Sequence, residues 1–401
     1  MPSLQRAFGI AVLFFIAALP MQAQTPWSIL WTAPVLLLAS LLIAWAAESS
    51  QYFIAQGFAL AILAWLQTLP EFGVEAVLAW HRQTPLLLSN LTGALRLLTG
   101  VGWPLIYITA ALSHRARLHT PMGAIHLSRN DSAQIAALIA ALAWIFVIFF
   151  KSSLGLIDAV VLIAIYAGYL WLLKRIPPES AEDVEEMEIV PRAIVKAPPA
   201  VRIAAISALF LAGGGLIYIV AEPFLGSLLA VATAVGIPQF VAVQWIAPFV
   251  SEFPEKVSAF YWARTVDKAS IALMNMLSSN INQWTLLAAM LPIALSLSYG
   301  VPSAIHFDSQ QSLELLMTAA QSLLGALLLF DLKLTWWEAA SLFVLWFGQF
   351  VFSILPSPWA FEIHQVFTAI YLLWCVVEGI RLILARKQPQ VYAALVEFLN
   401  A

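Results

Sequence analysis

The sequence predicts an all-α polytopic membrane protein of about 12 spans. Three observations carry this. Residues of the Ala, Val, Ile, Leu, Met, Phe, Trp, Tyr and Cys set make up 62% of the 401 residues, where soluble domains reach about 45–50% even with Gly counted. Charged residues are only 10%, against about 25% in a chain that must cover a water-facing surface. The mean hydropathy is +0.88, and the apolar residues come in unbroken blocks near the ~20 residues that a helix needs to cross a ~30 Å hydrocarbon core. Membrane β-strands would instead alternate in segments of ~10 residues. Lipid is therefore the main solvent. Disorder is excluded by the same composition, and a net charge of −3 leaves no basic footprint for nucleic acid. The single cysteine, Cys375, has no partner for an internal disulfide.

In chain order the spans are predicted at 5–22, 29–47, 53–80, 86–111, 132–150, 154–173, 202–221, 226–262, 269–297, 313–330, 337–355 and 362–384. Residues 1–28 have two readings. Arg6, an apolar run and Met21-Gln22-Ala23 suit either a cleaved signal peptide or a retained helix. Spans three and eight are long and carry an internal Pro, so they are expected to tilt or break. The stretch 174–200 holds Pro177-Pro178, an acidic run and Pro198-Pro199. It reads as a solvated cytoplasmic linker between two membrane halves, 29–173 and 201–355, with 356–401 adding a last helix and tail. Gly213-Gly214-Gly215 suits close helix packing.

Lys and Arg set the expected orientation. With the N terminus inside, fifteen of them fall on the cytoplasmic side and two, Arg82 and Lys151, on the other. This positive-inside bias puts both termini in the cytoplasm of a plasma (inner) membrane.

The two halves share a phrase. Leu69-Pro70-Glu71 is followed by Ser89-Asn90-Leu91-Thr92-Gly93, and Phe253-Pro254-Glu255 by Met274-Asn275 and on to Asn280-Ile281-Asn282. From Glu to the first Asn is 19 positions in one half and 20 in the other. Five spans separate the copies, an odd number, so they cross the membrane in opposite senses. Inverted repeats of this kind build an ion site near the midplane of many transporters. The residue types fit that chemistry. A carboxylate at bilayer depth costs roughly 2.5–3.5 kcal/mol or more unless it binds a cation, a proton or a base. The Pro before each Glu cannot donate and frees a carbonyl one turn back. Asn90, Asn275, Thr68 and Ser251 add neutral oxygens, and an all-oxygen shell suits hard cations.

These phrases resemble the α-repeats of the sodium/calcium exchanger family, within the calcium:cation antiporter superfamily. The family pattern is approximately Gly-Thr-Ser-x-Pro-Glu followed by Gly-Asn-x-x-Gly-Ser-Asn. The resemblance implies two inverted five-helix repeats, spans two to six and seven to eleven, with spans one and twelve as additions. It implies a secondary active antiporter, not an enzyme, that moves Ca²⁺ against Na⁺ or H⁺ by alternating access. Glu71 and Glu255 would be the central ligands of the transported cation, Asn90 and Asn275 their amide partners, and Thr68 and Ser251 donors of hydroxyl or carbonyl oxygen. No resident cofactor is implied; lipid and small inorganic cations are the partners. The sequence departs from the pattern at Gln67 and Glu252, where small hydroxyl residues are usual, at Leu95 in place of the second Asn, and at Lys256 and Arg96. These departures keep two alternatives open: a proton/monovalent-cation antiporter on the same fold, and a family member that has lost transport.

The charges can be paired in more than one way. Glu252 and Lys256 are four apart on one helix face and can form a neutral pair. Arg96 can pair with Glu75 or approach Glu71. In the first arrangement Glu71 and Glu255 remain unpaired, which suits one Ca²⁺, two Na⁺ or two H⁺. Asn280 suits the ion site or plain helix–helix bonding. The six His fall in loops or near span ends, and none is assigned to metal. An intramembrane enzyme finds no support: there is no His-Glu-x-x-His and no Gly-x-Ser-x-Gly.

Overall fold

The computed structural model describes residues 25–50, 68–175, 184, 187–264, 268–353, 359–384 and 391. Predicted span one, residues 53–67 of span three, Gln67 and most of the acidic run lie outside the described residues.

The first half holds α1 (Ile29–Ser50), α2 (Leu69–Trp80), α3 (Thr84–Leu97), α4 (Trp103–Leu118), α5 (Ser132–Lys151) and α6 (Leu156–Leu173). A π-turn, Leu98–Gly102, joins α3 to α4 without a break. The short α7 (Ile189–Val195) follows. The second half holds α8 (Pro199–Val235), α9 (Gln239–Ser251), α10 (Phe253–Ala263), α11 (Ala269–Asn282), α12 (Ala288–Tyr299), α13 (Ser309–Leu328) and α14 (Trp336–Ser353), and α15 (Trp359–Leu384) closes the description. Here too a π-turn, Gln283–Leu287, joins α11 to α12.

Among the described residues, eight helical stretches are long and apolar enough to cross a bilayer. Four of the twelve expected spans are not among them: span one and most of span three lie outside the described residues, the second Pro-Glu segment is a short piece, and α14 falls short of the others in length and hydropathy taken together. Leu69 and Pro70 open α2, and Phe253 and Pro254 open α10. Pro in the first turn removes only an N–H that would have had no partner there. Between α9 and α10 the chain leaves helical geometry at Glu252 (φ −90°, ψ 2°). The boundary between spans seven and eight is also corrected. The helix does not stop near Glu222-Pro223 but runs through Pro223 to Val235. It ends where Gly236 takes a left-handed turn (φ 77°), which favours Gly. At 37 residues this helix is about 55 Å long, so a ~30 Å core must tilt it.

Among the described residues four short strands depart from the all-α expectation. β1 (Ala124–His126) pairs antiparallel with β4 (Lys333–Thr335), and β2 (Ser153–Leu154) with β3 (Ile305–His306). Each ladder therefore joins the two halves. Each is extended by one matching bond, Leu127 N to Leu332 O at 2.8 Å and Phe307 N to Ser152 O at 3.0 Å. Helices beside these strands start on carboxylates that reach back to a backbone N–H: Asp131 to Ser128, Asp158 to Gly155 and Glu338 to Thr335. Asp158 also pairs with Lys151. Several glycines set helix spacing, Gly93 and Gly213 among them. A Cβ on Gly93 would lie 1.7 Å from the Gln244 carbonyl oxygen, so α3 and α9 touch there. One on Gly213 would meet Ile43 at 2.8 Å, where α8 crosses α1. Gly214 and Gly215 face open space, so only the first of the three serves packing.

Candidate functional site

The two Pro-Glu breaks meet inside the bundle. Glu71 and Glu255 are each 1% exposed. Glu71 lies close enough to feel the charges of Glu252, Glu75, Glu255 and Lys256. One side chain ties the halves directly. Gln283 Nε2, at the start of the second π-turn, donates to Glu71 Oε2 at 2.9 Å and to Glu252 Oε1 at 2.8 Å. Glu252 Oε2 receives the ammonium of Lys256 four residues on, as the spacing predicts. Asn90 Nδ2 donates to Glu75 Oε1 at 3.0 Å.

Subtracting those bonds leaves a set of buried acceptors short of donors. Glu71 Oε1, Glu75 Oε2, Asn90 Oδ1 and both oxygens of Glu255 are buried without a well-aligned hydrogen-bond partner. Ser279 supplies the hydroxyl neighbouring Glu255. Asn275 is fully buried one turn earlier on the same helix. Thr68 and Ser251 are buried beside the breaks. The Thr68 carbonyl accepts from the N–H groups of Glu71 and Phe72, at 3.1 Å each, and Ser251 Oγ reaches the Pro248 carbonyl at 3.5 Å. Asn280 goes elsewhere: its Nδ2 donates to Thr99 Oγ1 at 3.3 Å, a helix–helix bond. Among the described residues no three His, Cys, Asp or Glu side chains gather as a resident metal centre would require.

A family profile described as "Sodium/calcium exchanger protein" matches residues 7–174 and 206–355. The chain belongs to the sodium/calcium exchanger family. A solved structure described as the H⁺/Ca²⁺ exchanger CAX is similar to this family member at 31% identity, over 99% of this chain and 96% of its own, with a TM-score of 0.88. YfkE is similar at 15% identity, over 90% of this chain and 97% of its own, with a TM-score of 0.58. The sodium-calcium exchanger NCX_Mj is similar at 18% identity, over 80% and 95%, with a TM-score of 0.54. These last two show likeness of fold alone. No curated protein matches. Membership in this family, with the long apolar helices, makes the chain an integral membrane protein.

This exchanger-family chain carries a second buried polar cluster, which corrects the expected pairing of Arg96. Its guanidinium approaches neither Glu75 nor Glu71. Arg96 Nη2 lies 2.6 Å from Glu314 Oε2 on α13. Gln244 Nε2 donates to the same oxygen at 2.9 Å, and His364 Nδ1 on α15 meets Glu314 Oε1 at 2.9 Å. The Trp245 ring lies 4.9 Å from the guanidinium carbon. Arg96 faces these partners because α3 packs on α9 and α13, while Glu75 is already taken by Asn90. His364 lies near the start of α15, as expected, but is buried there. Sequence reading missed Gln283, Glu314 and His364. Gln283 was legible in principle, as a polar residue following Asn275 at two-turn spacing; Glu314 and His364 carried no motif.

Proposed function

We propose that the protein is a secondary active antiporter that exchanges Ca²⁺ for protons by alternating access. The observation that carries this is the bridge at Gln283. It holds Glu71 of one half beside Glu252 of the other, yet leaves Glu71 Oε1 without a donor and Glu255 with only the Ser279 hydroxyl beside it. Buried carboxylate oxygens of that kind are costly in an apolar interior. A cation relieves the cost, and so does a proton, and the two cannot occupy the same oxygens together. That mutual exclusion is the elementary requirement of exchange.

In this reading Glu71 and Glu255 are the acidic ligands of the cargo. Asn90 lends its Oδ1, Asn275 its amide, and Thr68 and Ser251 lend oxygens from the breaks. With Glu252 paired to Lys256, Glu71 and Glu255 match one Ca²⁺, two Na⁺ or two protons, and Glu75, held by the Asn90 amide and not by Arg96, is a third carboxylate beside them. Protons are preferred over Na⁺ as counter-ion because the 31%-identical neighbour is described as an H⁺/Ca²⁺ exchanger. The recurring element order and the reciprocal strand pairing support two inverted repeats, 29–173 and 201–355, tethered by 174–200. Both termini are placed in the cytoplasm of a plasma (inner) membrane by the positive-inside bias.

The test is ⁴⁵Ca²⁺ uptake into proteoliposomes under an imposed pH gradient or an imposed Na⁺ gradient. Uptake driven by the pH gradient and lost in Glu71→Gln and Glu255→Gln supports the reading. Uptake that follows only the Na⁺ gradient overturns the proton assignment, and full uptake in either variant overturns the site.

A further inference from the structure

Glu75 is a fully buried carboxylate to which the exchange reading gives no task. It lies one turn beyond Glu71 on α2, and it faces α3. Its Oε1 accepts from Asn90 Nδ2 at 3.0 Å, and the Leu91 backbone N–H is its other neighbour on that helix. The bond settles a choice that the Asn90 side chain cannot make alone. A primary amide offers donors at one end and an acceptor at the other, in nearly the same shape. Turned over, Asn90 would set its own oxygen against the carboxylate oxygen, two acceptors face to face in a buried site. With Nδ2 on Glu75, Oδ1 is the end left over, and it is buried without a well-aligned partner.

We propose that Glu75 is a positioning residue that fixes the Asn90 amide with its oxygen toward the cargo and its N–H groups away from it. This deepens the antiport reading above and rests on it. A hard cation is held by oxygen, and an N–H group aimed at it repels. An amide free to turn would have to be ordered each time the cation binds, and a ligand ordered in advance avoids that cost. Glu75 acts here through the bond it accepts and not through its charge, which separates its role from those of Glu71 and Glu255. The device belongs to one half. Four residues after Glu255, at the place that Glu75 holds after Glu71, stands Ala259, which is 1% exposed and has no side-chain acceptor.

The experiment measures ⁴⁵Ca²⁺ binding to the purified protein in nanodiscs. Glu75→Gln and Glu75→Leu remove the same charge at similar volume, but only Gln keeps an oxygen that accepts from Asn90. Their comparison therefore reads the bond alone. Glu75→Leu is expected to raise the Ca²⁺ Kd about fivefold over Glu75→Gln, the net contribution of one hydrogen bond. The second arm repeats the pair with Asn90→Asp added to each. Aspartate presents an oxygen whichever way it turns, so nothing remains to be positioned, and the advantage of Gln over Leu should disappear. Equal Ca²⁺ affinity of the two variants with Asn90 intact overturns the proposal. So does an advantage of Gln that persists undiminished beside Asn90→Asp. Complete loss of binding in both double variants also overturns it, since an oxygen at position 90 would then not serve the cargo. If Glu75→Leu does not fold, Glu75→Ala takes its place in both comparisons. Wild-type protein that binds no Ca²⁺ at all overturns the antiport reading, and this proposal with it.

Discussion

Gln283 and Glu71 meet across 2.9 Å although 212 positions separate them in the chain. The bond joins the helix that follows the second Pro-Glu to the helix that carries the first. Gln283 also holds Glu252, so one neutral amide organises two carboxylates drawn from both halves.

Replacing that amide should loosen both. Gln283→Leu leaves Glu71 Oε2 and Glu252 Oε1 buried without this donor, at about 1–3 kcal/mol for each group left unsatisfied. We expect a lower thermal midpoint of the purified protein in nanodiscs and a weaker Ca²⁺ Kd. Gln283→Asn, which keeps an amide but shortens its reach, should fall between. A variant as stable as wild type, with unchanged Ca²⁺ affinity, would show the bridge to be incidental.

Arg96 and Glu314 form a separate test of the interior. Breaking a buried pair by removing one member typically costs roughly 3–5 kcal/mol, whereas removing both can be neutral. Arg96→Met should therefore lower thermal stability sharply, and Arg96→Met/Glu314→Gln should recover much of it. A double variant no better than the single one argues against direct pairing.

Gly93 is required by the approach of α3 to α9. A methyl group there would sit 1.7 Å from the Gln244 carbonyl oxygen, so Gly93→Ala must push the helices apart. Overpacking of this kind typically costs about 1–3 kcal/mol, and the shift would also disturb Gln244 on Glu314. Gly214→Ala, with nothing within reach of its Cβ, is the matched control and should be stable. Measured midpoints for the two in the opposite order would show the helix contact to be misplaced.

The two ladders predict cross-links between halves. Ser153 and His306 are register partners, so Ser153→Cys/His306→Cys should form a disulfide under mild oxidation. Ser153→Cys paired with a cysteine at Ser309, three residues out of register, should form it much more slowly. Gel mobility after cleavage in the linker reads the difference; comparable yields for both pairs would contradict the register.

Much of this was legible in the sequence because lipid imposes a simple rule: helices must be apolar and long. Residues 132–150 and 269–297 were found close to their true ends for that reason. The Pro-Glu phrases were legible because a carboxylate in such a segment has few explanations, and the i, i+4 pairing of Glu252 with Lys256 is local. What failed was non-local. Arg96 has Glu75 within plausible reach on paper, but Asn90, one helix on, takes Glu75 first, and Arg96 turns to a carboxylate more than two hundred positions away. The end of α8 was misplaced because Pro223 looks like a stop, while in the structure the helix carries it and Gly236 supplies the turn. The short strands were invisible because two or three residues carry no periodicity.

Those strands bear on how the chain is made. β1 finishes emerging from the ribosome about 200 residues before its partner β4 exists. Until then its backbone donors and acceptors, and those of β2, stand as open edges at the rim of a half-built bundle. The first half must be threaded into the lipid and parked there, incomplete, while the second is synthesised. A slow translocation of the later helices would therefore expose the early ones to quality-control proteases, and a chain cut in the linker would mature only if both pieces were supplied to the same membrane.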